Sequence, residues 1–287
     1  MASRTYSDAR PTPAADLRAL WAVMLREWRI FKRYPSWIVA LFIWPLIFPA
    51  AYILAARALA GPDGSGLALF ARAAGTENYI AYIVVGTTIW MWQNVSLWTV
   101  GYALRTEQLR GTLETNWLTP SRRFWFLLGA GLTQSVQLAA FLGVSALEFG
   151  LFFGVRLQGN PWLVLLVFLA AIPATFGIGL AFASLVILAR EANAFVFMVR
   201  GLVMVFCGIT YPTDILPGWM QPIAAWLPPT YAIRGIRNAG LNNAGLAALL
   251  PDLAALAGFG VLWLVIGYVA FHWTERRARR VGSLGKF

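Results

Sequence analysis

Long apolar runs separated by polar connections dominate this chain of 287 residues. Each of the six runs reaches or approaches the roughly 20 residues that a helix needs to cross the hydrocarbon core of a bilayer. Backbone groups in lipid must be satisfied within their own segment, so runs of this length predict helices. We therefore expect an all-α integral membrane protein, with a six-span transmembrane domain over residues 36–273. The predicted spans are 36–59, 79–104, 124–155, 161–189, 194–211 and 251–273.

The composition excludes several other classes of protein. Only 12% of the residues are charged, about half the fraction found in soluble domains. The net charge of +11 does not indicate a nucleic-acid partner, because Lys and Arg cluster at the ends of the apolar runs. The chain has one cysteine and one histidine, so an intramolecular disulfide and a multi-histidine metal site are both excluded.

The positions of Lys and Arg predict the orientation. Seventeen of the 23 lie before the first run, after the last run, or in the connections that follow the second and fourth runs, whereas five lie on the opposite side. Positive residues favour the cytoplasmic side of a membrane. We therefore expect a multi-pass protein of a bacterial-type inner membrane, surrounded by membrane lipids, with both termini in the cytoplasm.

Residues 1–35 are predicted to form a cytoplasmic tail and an amphipathic helix. Apolar residues recur at three- and four-residue spacing from 16 to 33, with Arg on the other face and Asp16 as the expected N-cap. A Trp-rich apolar face beside a basic face is typical of a helix at the membrane surface; contact with a cytoplasmic partner is the further alternative. Residues 274–287 form a basic tail, which suits anionic lipid headgroups.

The stretch 211–250 is too broken for one helix and too apolar for a solvated loop. It contains Pro212, Pro217, Pro222, Pro228 and Pro229. Irregular backbone at membrane depth must be shielded by protein or face a wet cavity. We expect short re-entrant helices at 217–226 and 230–239; the alternative is an external loop that lies on the membrane.

The second apolar run is the best candidate for lining a pathway. Polar side chains within a span usually turn away from lipid, and aromatic rings beside them suit an amphiphile or a glycan. The alternative is ordinary helix packing with interface anchoring. Elsewhere, Glu148 and Arg200 are the charges expected within spans, each making a local structural bond and too far apart to pair. The candidate lining residues are Thr87, Trp90, Asn94 and Trp98.

A polar, basic island at 105–123 separates the second and third runs. Its sequence EQLRGTLETNWLTPSRR, from Glu107 to Arg123, can form a short helix that Pro120 ends. Composition alone does not distinguish a solvated connector from a partner contact. The run resembles the cytoplasmic coupling loop of ABC-2 type ABC transporter permeases. The stretch PTDILPGWMQPIAAWLPPTYAIRGIR over 212–237 resembles the family's broken segment between spans five and six, through Pro212, Leu216, Pro217, Trp219, Pro229 and Tyr231.

With the basic amphipathic leader, the resemblance covers nearly the whole chain. It implies a permease subunit rather than an enzyme: two copies form the pathway, and separate ABC ATPase subunits that hold ATP and Mg²⁺ drive it. No GxxxxGK[ST] motif occurs in the sequence, so we expect ATP hydrolysis on the partner and no cofactor on this chain. The residues implied in coupling to the ATPase are Glu107, Leu109, Gly111, Thr112, Leu113, Glu114, Thr119 and Pro120.

Within that segment, Glu107 and Glu114 are expected to pair with basic ATPase residues, while Leu109 and Leu113 pack into its groove. The cargo of such an exporter is open among amphiphiles, drugs and lipid-linked glycans. One alternative is a membrane enzyme acting on isoprenoid or other lipid substrates, but the clustered acids of a metal–diphosphate site do not occur. A membrane scaffold without transport is the other alternative.

Overall fold

The computed structural model of the chain describes residues 12–61, 63, 65–76, 78–109, 123–155, 158–188 and 192–281. Regular structure in these ranges is entirely helical, as predicted, and comprises ten α-helices and one 3-10 turn, Thr213–Ile215. The α-helices are α1 Pro13–Arg33, α2 Pro35–Leu59, α3 Ser65–Ala74, α4 Tyr79–Leu109, α5 Arg123–Phe153, α6 Pro161–Leu188, α7 Ala192–Phe206, α8 Gln221–Ala225, α9 Pro228–Gly240 and α10 Leu246–Val281.

Four helices in the described ranges are long and apolar enough to cross a membrane. They contain the segments Pro35–Leu59, Trp125–Phe153, Pro161–Leu185 and Leu246–Thr274. Helix α4 has the necessary length at 31 residues, but polar residues such as Gln93 and Asn94 reduce its hydropathy. Helix α7 has 15 residues, or about 22 Å, and is apolar over Val196–Phe206. The count of six spans therefore stays a prediction.

Two helices are longer than the spans predicted within them. Helix α4 is described to Leu109, beyond the predicted span 79–104, and neither Gly nor Pro occurs over 105–109 to interrupt it. Helix α10 likewise runs from Leu246 to Val281, so the predicted span 251–273 and residues 274–281 of the predicted basic tail lie on one helix. The Arg and Ala residues there are good helix formers.

Helix α1 is present, but its N-cap is Thr12 instead of Asp16. The Thr12 side chain accepts a hydrogen bond from the Ala15 N–H, and Pro13 occupies the first helical position, where its fixed φ suits a helix start. Asp16 lies in the first turn and is buried. The helix packs mainly against α5 and leaves Leu17 and Trp21 exposed, so an apolar face remains available for the predicted membrane interface.

Helix α6 occupies the centre of the bundle. It packs most extensively along α10, and then against α4 and α9. The largest buried cluster joins these elements, with Val167 and Phe168 of α6 beside Trp92 of α4 and Ile233 of α9. Helix α7 instead packs mainly against α4, so α4 connects the central helices to a more peripheral one.

The proline-rich stretch after α7 folds into the 3-10 turn, α8 and α9, close to the two short helices predicted at 217–226 and 230–239. The Thr230 hydroxyl donates to the Ala224 carbonyl at 2.7 Å, and the Gln221 amide donates to the Leu216 carbonyl at 3.0 Å. Most residues of α9 are buried against α4, α6 and α10. This helix is therefore part of the helical core.

Candidate functional site

The predicted coupling residues lie at and beyond the end of α4. Glu107 and Leu109 are in the last turn of this helix. Helix α4 is thus continuous over about 45 Å, and its described part reaches into the island 105–123. The other coupling residues lie outside the described residues; they are Gly111, Thr112, Leu113, Glu114, Thr119 and Pro120.

The four candidate lining residues of α4 face into the chain, where α2 and α7 pack. Thr87 is fully buried, and its hydroxyl donates to the Ile83 carbonyl of the same helix at 2.6 Å. The Trp90 ring stacks on Phe48 of α2 with centroids 4.9 Å apart. Its indole N–H donates to the Arg200 carbonyl of α7 at 3.3 Å. Within one chain, Trp90 thus lies in a helix seam between α4, α2 and α7, and Thr87 is buried one turn before it.

Asn94 and Trp98 continue this seam by one and two turns along α4. Asn94 is 6% exposed, yet its amide Nδ2 has no hydrogen-bond partner among the described residues. The Trp98 ring is partly buried and meets the edge of Phe197 of α7 with centroids 6.4 Å apart. Helical spacing places all four predicted residues on one side of α4, from which Trp90 contacts α2 and α7 and Trp98 contacts α7.

The two charges predicted within spans differ in their contacts. The Arg200 guanidinium lies over the Trp90 ring at 5.2 Å and over the Phe197 ring at 5.7 Å, and no ion pair joins it to any described residue. Glu148 is buried, and its Oε2 has no hydrogen-bond partner among the described residues. Arg200 thus makes local contacts with two rings, whereas for Glu148 no local bond is found among the described residues.

The predicted re-entrant residues are divided between the interior and the surface. Trp219 is 68% exposed and Pro217 is also exposed. The Tyr231 hydroxyl donates to the Ala225 carbonyl at 2.9 Å, which ties α9 to α8. The buried members are Pro212, Leu216 and Pro229.

Sequence reasoning missed the most strongly bonded side chain of this region, Arg237 of α9. Its guanidinium donates to the Gly208 carbonyl at 2.6 Å, to the Ile209 carbonyl at 2.6 Å and to the Tyr82 carbonyl at 2.9 Å. It also lies 3.3 Å from the Tyr82 ring centroid. Arg237 thus joins the start of α4 to the chain just after α7. The sequence signal that could have pointed to Arg237 is its position as a charged residue among apolar residues, glycines and prolines.

Gly86 makes room for this junction. A Cβ atom at this position would collide with the Ile209 carbonyl oxygen and with the Arg237 guanidinium. Burial lowers the pKa of Arg237 to about 10, so the guanidinium still carries its charge at neutral pH. A neighbouring ion pair joins Arg234 to Asp252 of α10, with Nε and Oδ1 2.8 Å apart.

A cavity of about 210 Å³ lies beside the Arg237 junction. It is lined by the ends of α3 and α4, the chain after α7, and α9, and Asp214 and Asn238 are among its polar residues. No group of His, Cys, Asp and Glu that could hold a metal ion occurs in the described part of the chain.

These features define the class of protein. Long apolar helices, polar side chains turned into the bundle and a broken helical segment packed within it are those of a polytopic α-helical membrane protein. The comparison with known proteins is more specific, because the ABC-2 family transporter proteins match residues 58–269. The chain belongs to this family, and it is a permease of the ABC-2 type.

Two named permeases are also similar to this chain. The daunorubicin resistance ABC transporter permease protein DrrB1 of Streptomyces coeruleorubidus is 28% identical over an alignment of 267 positions, which covers 84% of this chain and 82% of that protein. The linearmycin resistance permease protein LnrN of Bacillus subtilis (strain 168) is 28% identical over 145 residues, or 50% of this chain and 37% of that protein. Permeases of this family pair with ABC ATPase subunits, and they are transporter subunits rather than enzymes.

Proposed function

We propose that this chain is the membrane subunit of an ATP-driven exporter, in which two copies form the pathway and separate ATPase subunits move it. The observation that carries the proposal is the continuity of α4. This helix contains the four candidate lining residues, Thr87, Trp90, Asn94 and Trp98. Its described part extends to Leu109, inside the segment that resembles a coupling loop. A continuous helix transmits a displacement at one end to the other.

In this proposal α2, α4, α5, α6, α7 and α10 are the six spans, with both termini in the cytoplasm. Helix α1 lies at the cytoplasmic interface, and α8 and α9 form the re-entrant segment on the outer side. The burial of α9 among three other helices supports this arrangement, because irregular backbone at membrane depth needs shielding by protein.

The proposed cargo is an amphiphile, with a drug-like molecule favoured over a lipid-linked glycan. The names of both relatives record resistance to an antibiotic, daunorubicin in one case and linearmycin in the other. In the aromatic seam between α4 and α7, formed by Trp90, Trp98 and Phe197, the ring of Phe197 is exposed and that of Trp98 is partly buried. These two rings offer flat apolar surfaces of the kind that such molecules contact.

Coupling is tested by the double substitution Gly111→Trp and Glu114→Arg. We expect the chain to fold but to lose co-purification with its ATPase, because a large ring and a reversed charge would stand where the ATPase groove is expected. Cargo export should then fall to background. The matched control is Arg72→Gln, an exposed residue of α3 on the opposite side of the predicted membrane. A double variant that keeps both the ATPase and normal export would refute the proposal.

The pathway is tested by Trp98→Ala. The Trp98 ring is partly buried against Phe197, and its removal takes away a wall of the seam. We expect export to fall about 3- to 10-fold with the ATPase still bound, the effect of losing about 1 kcal/mol of binding. Trp162→Ala is the control, since Trp162 of α6 is 74% exposed. Export at the unaltered rate by Trp98→Ala would remove Trp98 from the pathway.

A further inference from the structure

Arg200 lies near the middle of its helix. It is the ninth of the 15 residues of α7, about 12 Å along the axis from Ala192. An arginine near a helix end can extend its charge to the membrane surface. Here the guanidinium is instead held over Trp90, which is about 16 Å along α4 from Tyr79. In a hydrocarbon core of about 30 Å, this position is close to half-way.

The charge of Arg200 is not compensated within the described residues. Its neighbours are the rings of Trp90 and Phe197, and none of the ion pairs of the described part of the chain includes it. Aromatic faces attract a cation, but they do not accept its five N–H groups in the plane of the guanidinium, as a carboxylate or sulfonate does. The side chain is only partly buried, so a ligand can reach it.

A second group in the same seam also lacks a partner. Asn94 lies between Trp90 and Trp98 on α4, is 6% exposed, and leaves its Nδ2 donor unbonded among the described residues. A buried donor without an acceptor is destabilising. The seam therefore presents donors and a positive charge between aromatic walls, and within the described residues it contains no anionic acceptor.

We propose that the α4–α7 seam binds the anionic group of an amphiphile, with Arg200 pairing to a carboxylate, sulfonate or phosphate. The exposed ring of Phe197 and the partly buried ring of Trp98 beside it would contact the apolar or aromatic body, and Asn94 would donate to the ligand's polar edge. This inference rests on the proposed transport function, and it assigns the cargo class as anionic amphiphiles. Arg200 is then the residue that determines specificity for charge.

The test measures binding to the purified chain in phosphatidylcholine nanodiscs, with pyrene-1-butyrate as the anionic probe and pyrene-1-butanol as its uncharged analogue. Saturable energy transfer from tryptophan to pyrene reports binding and needs no ATPase. We expect Arg200→Gln to weaken binding of the butyrate at least about 10-fold while changing binding of the butanol less than about 2-fold. Arg200→Lys should bind the butyrate more tightly than Arg200→Gln but less tightly than the unaltered chain, because an ammonium group keeps the charge and lacks the planar set of donors. Arg72→Gln should retain all of the affinity.

Equal butyrate affinity in the unaltered chain and in Arg200→Gln would overturn the inference, as would equal losses for both probes. A second arm adds phosphatidylglycerol to the nanodiscs. If this anionic lipid displaces the butyrate from the unaltered chain, the seam holds a lipid phosphate and the assignment of cargo class is overturned; undiminished binding supports it. If butyrate binding depends on Arg200 but the chain neither retains an ATPase nor exports cargo, the transport proposal is refuted and the binding site stands.

Discussion

Substitution of Arg237 by methionine is expected to destabilise the folded chain by about 3–5 kcal/mol. The arginine is 7% exposed and donates to the carbonyl groups of Tyr82, Gly208 and Ile209. A hydrogen bond to a charged group is worth about 1.5–3 kcal/mol. Methionine fills much of the volume of arginine but donates no hydrogen bond. The three carbonyl groups would therefore lose the donor that they share.

One effect opposes this loss, because removing a buried charge also removes its desolvation cost. Replacing all partners of a buried ionic group by apolar residues is often neutral. Here the three acceptors are backbone carbonyls, which no side-chain substitution removes, so the cost of leaving them unsatisfied prevails. The stability of Arg237→Lys should fall between that of the unaltered chain and that of Arg237→Met, since one ammonium group does not span three carbonyls as a planar guanidinium does.

The measurement is the free energy of unfolding in mixed micelles, by titration with a denaturing detergent, together with thermal stability followed by size-exclusion chromatography. Arg72→Met is the control, because Arg72 is exposed on α3. A fully stable Arg237→Met variant would show that the junction of α4, α7 and α9 does not depend on the guanidinium.

Gly177→Leu is expected to disrupt the packing of α6 on α10, at a cost of about 3 kcal/mol or more. A Cβ atom at Gly177 would collide with the backbone of Trp263 and Leu264. Backbone atoms do not move aside as a flexible side chain does, so the two helices would have to separate along the most extensive helix contact of the chain.

Gly258→Leu on α10 provides the matched control, since a Cβ atom there has no neighbour within 4 Å. Both substitutions add the same side chain, one to α6 and the other to α10, which are the two helices of this contact. We expect Gly177→Leu to run as aggregated or partly unfolded protein on size-exclusion chromatography, and Gly258→Leu to match the unaltered chain. Equal behaviour of the two variants would contradict the close approach at Gly177.

The helices were largely predictable because their signal is local. An apolar run long enough to cross a bilayer has few ways to satisfy its backbone other than a helix. The short helices α8 and α9 were also located within a few residues, since prolines delimit them. An error fell at a helix end, where Thr12, and not Asp16, caps α1. At such ends a few tenths of a kcal/mol per residue decide the boundary.

The sequence by itself determined the helical class, the existence of the long apolar helices and the inward-facing residues of α4, because each follows from residues within one or two turns of one another. Only the tertiary structure decided that Arg237 bonds to Tyr82, 155 residues away, and that Arg200 lies over Trp90, 110 residues away. The physical reason is that a buried charge is placed by its partners. Those partners come from helices whose proximity depends on how the whole bundle packs.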